Sequence, residues 1–191
     1  FGGAYELESN SVSIAPNTWI EAARNLSESE ALKAAVDAVS PYLTAEDEEA
    51  VLVELAERLE GAQSLPYWQR AYDLAPQSQQ ILRKLATRSV EELEPLESVG
   101  LVEHWIAHAD GDLPEGLTPV VRRLSERLTD SGAPDRCRQL LGLASKRFPT
   151  ELDLATAWIA AVDVVGDSEL SASARVQAAE KLDDRRADGW L

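Results

Sequence analysis

Along most of the chain, apolar residues recur at intervals of three and four, the spacing of one face of an α-helix. Leu52, Leu55, Ala56 and Leu59 form one such stripe, and Trp68, Ala71, Tyr72 and Ala75 a second. Ile81, Leu82 and Leu85 follow, then Val102, Trp105, Ile106 and Ala109. Leu117, Val120, Val121, Leu124 and Leu128 recur with the same offsets as Cys137, Leu140, Leu141, Ala144 and Phe148. Leu152, Ala155, Ile159 and Val162 continue the pattern, and Val176, Ala179 and Leu182 close it. No stretch of useful length alternates with period two, so the expected class is all-α, with strands absent or confined to the first residues.

The boundaries of these elements carry their own chemistry. Asn17 precedes a short helix over Trp19–Leu26, and Ser27-Glu28-Ser29-Glu30 has capping-box spacing before a helix that runs toward Ser40. Thr44 is the expected cap of the next, whose acidic first turn (Glu46, Asp47, Glu48, Glu49) suits the positive end of the helix dipole. Gly61 is expected to end it. Further helices are expected over 65–75, 77–88, 91–109 with a break near Pro95, 117–130, 133–147, 150–165 capped by Thr150, and 171–186 opened by Ser171. Phe1 to Pro16, with Gly2, Gly3, Asn10 and several serines, reads as an extended lead-in or linker. The expected organisation is thus a lead-in over 1–16 and a single helical-repeat domain over 17–191.

Four prolines punctuate this series. Pro41 to Pro76 is 35 residues, Pro76 to Pro114 is 38, and Pro114 to Pro149 is 35. Each falls after one helix and before the next cap, where it cannot extend the outgoing helix. Two helical segments lie between successive prolines, so the unit is a helix pair with a period in the thirties. Five pairs result: 17–26 with 28–40, 44–60 with 65–75, 77–88 with 91–109, 117–130 with 133–147, and 150–165 with 171–186.

Tyr67-Trp68-Gln69-Arg70-Ala71-Tyr72-Asp73-Leu74-Ala75-Pro76 resembles the second helix and closing proline of a tetratricopeptide (TPR) repeat. Ala144 through Phe148-Pro149 is similar, with Ala71 and Ala144 both five residues before the proline. A small residue there lets two helices approach closely. The family's Trp…Leu-Gly…Tyr run in the first helix of the pair is absent. The resemblance implies a right-handed α-solenoid of about five antiparallel helix pairs, with an irregular multi-helix bundle as the alternative. It also implies a non-catalytic protein–protein interaction scaffold or adaptor. The first helices, here 44–60, 77–88, 117–130 and 150–165, would line a concave groove that receives a peptide or helix of a partner. Glu54, Arg83, Arg122 and Arg123 are the expected partner-binding residues.

Charge narrows the partners. The 191 residues carry 18 basic and 34 acidic side chains, a net charge of −16, which disfavours nucleic acid and anionic membrane surfaces. The charge is also uneven. From Ser89 to Val121 there are eight acids and no lysine or arginine, whereas Arg122 to Arg147 holds seven basic residues and three acids. The plain reading is two sets of solvated helix faces that attract each other along the stack. Leu154 to Val165, interrupted by Asp163, is far short of the roughly 20 apolar residues a spanning helix needs. The single cysteine, Cys137, forms no intrachain disulfide, which favours a reducing, cytoplasmic setting, though the periplasm is compatible. The chain starts at Phe1 and has no methionine, so a segment of a larger protein or a processed form is expected. That raises a second function class, a structural or regulatory segment of a larger protein or enzyme complex.

Catalytic readings find little support. His104 and His108 stand four apart in Glu103-His104-Trp105-Ile106-Ala107-His108, a spacing that turns both rings to one helix face, with Asp110 and Asp112 following. A metal-dependent hydrolase on this pair is a third function class, but no glutamate stands between them to act as base. Asp110-Gly111-Asp112-Leu113-Pro114-Glu115 lacks the third alternating oxygen ligand and the distal glutamate of a calcium loop. Cys137 lies on an apolar stripe as a small buried hydrophobe. No Gly-x-Ser-x-Gly elbow and no glycine-rich phosphate loop occur. Catalytic residues, cofactors and metals are therefore not expected, and the tryptophans at helical spacing (Trp19, Trp68, Trp105, Trp158) are expected in the core.

Overall fold

A computed structural model of the chain describes residues 29–109, 111–165, 172–173, 175–176 and 179–180. The lead-in over 1–16, the helix over 17–26 with Trp19, Asp110, Trp190 and much of the helix over 171–186 lie outside the described residues. Among the described residues, eight helices occur in chain order: α1 (Ser29–Val39), α2 (Ala45–Arg58), α3 (Leu65–Leu74), α4 (Gln79–Glu92), α5 (Pro95–His108), α6 (Leu117–Asp130), α7 (Pro134–Arg147) and α8 (Leu152–Val165). Short 3-10 turns at Ser40–Tyr42 and Gly61–Ser64 flank α2, and among the described residues there is no strand. No helix among them is long and apolar enough to cross a membrane.

Local chemistry explains most boundaries. Thr44 caps α2 by accepting from the Asp47 backbone N–H at 3.2 Å, and Glu46, Asp47 and Glu48 sit at the positive end of the helix. Pro95 and Pro134 each open a helix at its first turn, where the missing N–H costs nothing. Pro76, Pro114 and Pro149 lie in the connections between pairs, while Pro41 lies within a 3-10 turn.

Three expected boundaries move. Helix α2 ends at Arg58, and Gly61, at φ +58°, begins the following 3-10 turn rather than closing the helix. Thr150 lies in a turn, two residues before α8 begins. Helix α4 is capped by Ser78 and continues through Ser89 and Val90 to Glu92, so the break comes at Leu93–Glu94. The cause is burial. Val90 is core, and Ser89 is sealed by donating to Leu85 O at 2.7 Å while its own carbonyl accepts from Ser98 Oγ at 2.7 Å. Glu94 is then held extended, as a residue before proline must be.

Extensive contacts join each helix to the next, and α4 to α6, α5 to α7, and α6 to α8. A closed bundle would bring early and late helices together; this sequence of near neighbours makes an α-solenoid of helix pairs. Three pairs are complete among the described residues, α2 with α3, α4 with α5, and α6 with α7. The core runs through them as a spine. Helix α4 shows how it propagates: Ile81 and Leu85 pack toward Leu52, Leu55 and Trp68, whereas Leu82, Ala86 and Val90 pack toward Val102, Trp105 and Leu124. Ala71 and Ala144 are fully buried.

The two charge blocks meet across this stack. Glu91 of α4 faces Arg123 of α6 at 3.5 Å, and Glu103 of α5 faces Arg136 of α7 at 3.5 Å. Arginines also cap helix ends two helices away. Arg127 of α6 donates to the carbonyls of Val90 and Leu93 at the end of α4, the latter at 2.8 Å. Arg147 of α7 likewise donates to Ala109 O at the end of α5, at 2.5 Å.

Candidate partner-binding groove

Helices α2, α4, α6 and α8 are the first members of successive pairs, so α4, α6 and α8, which touch in series, build one face of the solenoid. Their buried stripes fix which residues point outward. Leu52, Leu82 and Val121 hold equivalent core positions, and two residues on, Glu54, Lys84 and Arg123 project from α2, α4 and α6.

Between α4 and α6 lies a groove of about 510 Å³. Four cations line it, Arg83, Lys84, Arg88 and Arg123, against two acids, Glu91 and Glu115. Arg88 and Arg123 share Glu91, at 3.3 and 3.5 Å. Lys84 meets Glu57 of α2 at 3.4 Å. Arg83 donates to Glu115 at 2.8 Å, and the Glu115 side chain is 88% exposed. Glu115 reaches this place because Gly116, at φ +85°, turns the connection into α6 through a conformation that side-chain-bearing residues rarely adopt. At the Arg83 end the groove continues into a second hollow of about 410 Å³. Gln79, Arg83, Lys84, Glu115 and Trp105 of α5 line it. The Trp105 ring is fully buried, and its Nε1–H has no hydrogen-bond partner.

A neighbouring hollow of about 550 Å³ lies where α6, α7 and α8 meet. Arg122 and Glu126 stand at its side, and Cys137, Leu141, Ala157 and Ala161 supply an apolar lining. Cys137 is a buried free thiol, as its place on an apolar stripe implied.

Of the four residues singled out from the sequence, Arg83 and Arg123 lie in one groove. Arg122 lines the adjacent hollow, and Glu54 sits on α2, bridged to Arg58 at 3.0 Å. Lys84, Arg88, Glu115 and Trp105 were not singled out. Lys84 and Arg88 share the outward helical positions that selected Arg83, so that signal was present. Nothing local marks Glu115 or Trp105, which arrive from a connection and from a second helix.

The histidines have a different partner from the one their spacing suggests. Tyr72 Oη of α3 lies 2.7 Å from His104 Nε2, and the two rings meet edge to face. His104 and His108 stack with centroids 3.9 Å apart, and His108 Nδ1 donates to His104 O at 3.0 Å. Burial, and then the neighbouring His108, hold the His104 imidazole below its usual pKa. Burial, and then Asp73, push the Tyr72 phenol up. Both directions favour a neutral phenol donating to a neutral imidazole, a hydrogen bond between successive pairs. Among the described residues no group of three or more His, Cys, Asp or Glu side chains could hold a metal ion.

Helix pairs stacked in series, with Ala71 and Ala144 fully buried, define a TPR-like helical-repeat fold. Solved structures share that fold. A MamA RS-1 ArsTM double mutant aligns with 89% of this chain and 96% of its own length, at TM-score 0.50 and 10% identity. MamA AMB-1, in a P212121 crystal form, aligns with 86% of this chain and 88% of its own, at TM-score 0.50 and 14% identity. At such identities the similarity is one of fold. No family model matches the chain, and no curated protein matches it.

Proposed function

We propose that this protein is a non-catalytic interaction scaffold whose first-helix face receives a segment of another protein. The observation that carries the reading is the groove between α4 and α6, about 510 Å³ in volume, open along two first helices and lined by Arg83 and Arg123. Stacked helix pairs support it further, because each added pair extends the same face, which suits an extended or helical ligand. Arg83 and Arg123 make the central contacts, Arg122 contributes from the adjacent hollow, and Glu54 contributes at the α2 end. Arginines that anchor a partner typically cost more than about 1 kcal/mol when truncated, a severalfold loss in affinity for each.

The test is affinity capture from the native organism with quantitative mass spectrometry, comparing the natural protein with the R83A/R122A/R123A variant. Loss of a defined set of partners, with thermal unfolding unchanged, is the expected outcome. An identical set at identical yield would sink the reading.

A further inference from the structure

We infer that the hollow where α6, α7 and α8 meet is an anchor pocket, which takes a tyrosine side chain of the partner set beside a basic residue. This rests on the first-helix face being the partner-binding surface. It adds which side chain is anchored, where, and the charge of its neighbours.

Two features distinguish this hollow from the α4–α6 groove. In the groove each cation is already engaged: Arg83 with Glu115, Lys84 with Glu57, and Arg88 and Arg123 with Glu91. At the edge of the hollow stand Arg122, Glu126 and Asp130, and among the described residues none of the three makes an ion pair. Two uncommitted carboxylates against one guanidinium, on a chain of net charge −16, favour a basic residue of the partner at this edge. A charged ligand in the groove, by contrast, gives up one ion pair for each that it gains.

The second feature is Ser125. Hydroxyls elsewhere in these helices return to the carbonyl four residues earlier: Thr87 to Arg83 O at 2.8 Å, Ser89 to Leu85 O at 2.7 Å, and Thr129 to Ser125 O at 2.9 Å. Ser125 lines the hollow and is only 6% exposed, and its own hydroxyl has no partner. A buried hydroxyl left unpaired is costly, so a ligand that pairs with it gains binding energy. The wall around it is apolar. Cys137 and Leu141 come from α7, and α8 presents only the methyl groups of Ala157, Ala160 and Ala161. The volume, about 550 Å³, is that of an ordinary ligand pocket. An apolar ring fills such a space and lies well against a thiol, and a phenolic O–H pairs with a hydroxyl. Tyrosine combines these; phenylalanine leaves Ser125 unpaired, and a lysine or glutamate head group would bury its charge among alanines.

The probes are fluorescein-labelled peptides of repeating Lys-Tyr-Gly, Lys-Phe-Gly, Lys-Ala-Gly and Glu-Tyr-Gly, titrated by anisotropy against the natural protein and the S125A and A160L variants. Lys-Tyr-Gly should bind tightest, roughly fivefold above Lys-Phe-Gly for one hydrogen bond and about tenfold or more above Lys-Ala-Gly for the ring. Glu-Tyr-Gly should not bind. S125A should bring Lys-Tyr-Gly down to the level of Lys-Phe-Gly and leave Lys-Phe-Gly unchanged, a loss of preference that a merely structural serine would not produce. Ala160 is itself exposed, so leucine there intrudes on the hollow without entering the core. A160L should reduce both aromatic peptides to the level of Lys-Ala-Gly. Thermal unfolding of both variants verifies that they fold. Equal binding of Lys-Tyr-Gly and Lys-Ala-Gly, indifference to A160L, a tyrosine preference that survives S125A, or tighter binding of Glu-Tyr-Gly would each overturn the inference. So would absence of binding by every peptide. The scaffold reading falls only if partner capture is also indifferent to R83A/R122A/R123A.

Discussion

Two glycines inside helices offer a matched test of how closely the pairs pack. Gly100 lies in α5 and Gly142 in α7, and neither has a positive φ, so alanine is compatible with both backbones. Replacing a helical glycine by alanine stabilises by about 0.5–1 kcal/mol, largely through the unfolded chain. At Gly100 an added Cβ would meet no heavy atom within 4 Å, so the whole gain should appear. For a chain of this size that is a rise in melting temperature of about 1–4 °C. At Gly142 the same atom would stand 3.1 Å from Trp158 Nε1, 3.6 Å from Cδ1 and 3.7 Å from Cε2. Carbon and nitrogen rest at roughly 3.5 Å or more, so the indole must move by several tenths of an ångström. Trp158 of α8 packs against the main core, so its movement disturbs the α7–α8 contact. Overpacking of this kind costs about 1–3 kcal/mol, which offsets or exceeds the helical gain. The expected net effect of G142A is therefore between no change and a loss of about 2 kcal/mol. Urea and thermal unfolding, followed by circular dichroism, measure both variants. A further arm places G142A in a W158L background, where the clash is relieved and the alanine should become stabilising, a coupling that a double-mutant cycle reads directly. Equal stabilisation by G100A and G142A in the natural background would refute the reasoning, because it would mean that α7 and α8 do not meet at Gly142.

Other outcomes follow from the same stack. R127A leaves two carbonyls at the end of α4 without their charged donor and should cost about 1.5–3 kcal/mol in urea unfolding; R127K, a single point donor, should recover less than half of that. L124A removes a fully buried side chain at the centre of the main core and should cost about 2–5 kcal/mol, with loss of cooperativity as the alternative signature to look for in the same melts. His104 gives a pH dependence. Its folded pKa lies below the ordinary value, so the unfolded chain takes the proton first. Its contribution is then fully present above about pH 6.5 and is lost as pH falls below it. The difference in urea midpoint between the natural protein and H104Q should shrink on acidification; a difference that grows would contradict the neutral Tyr72–His104 hydrogen bond.

Much of this molecule is written in residues close to one another along the chain. Helical period, caps and proline stops are local signals, so Leu117–Asp130 appears as a helix at its true bounds and Thr44 is recognisable as a cap from its neighbours alone. The spacing of Pro41, Pro76, Pro114 and Pro149 carries the pairing of helices for the same reason. The local signal fails where a residue's environment comes from elsewhere. Ser89 looks like an interruption of α4, but Ser98, folded back against it, satisfies its carbonyl inside the core and lets the helix continue. The i, i+4 spacing of the histidines gives no sign that Tyr72, 32 residues upstream, meets His104 Nε2. Arg83 and Arg123 could be chosen from the sequence as outward polar positions on first helices. That they share a groove with Glu115, next to a hollow lined by an indole from α5, could not. Such a groove is assembled from side chains tens of residues apart, each placed by how one helix pair rotates on the next. Helix periodicity specifies which face of each helix is buried, whereas the packing of those faces decides which charges meet.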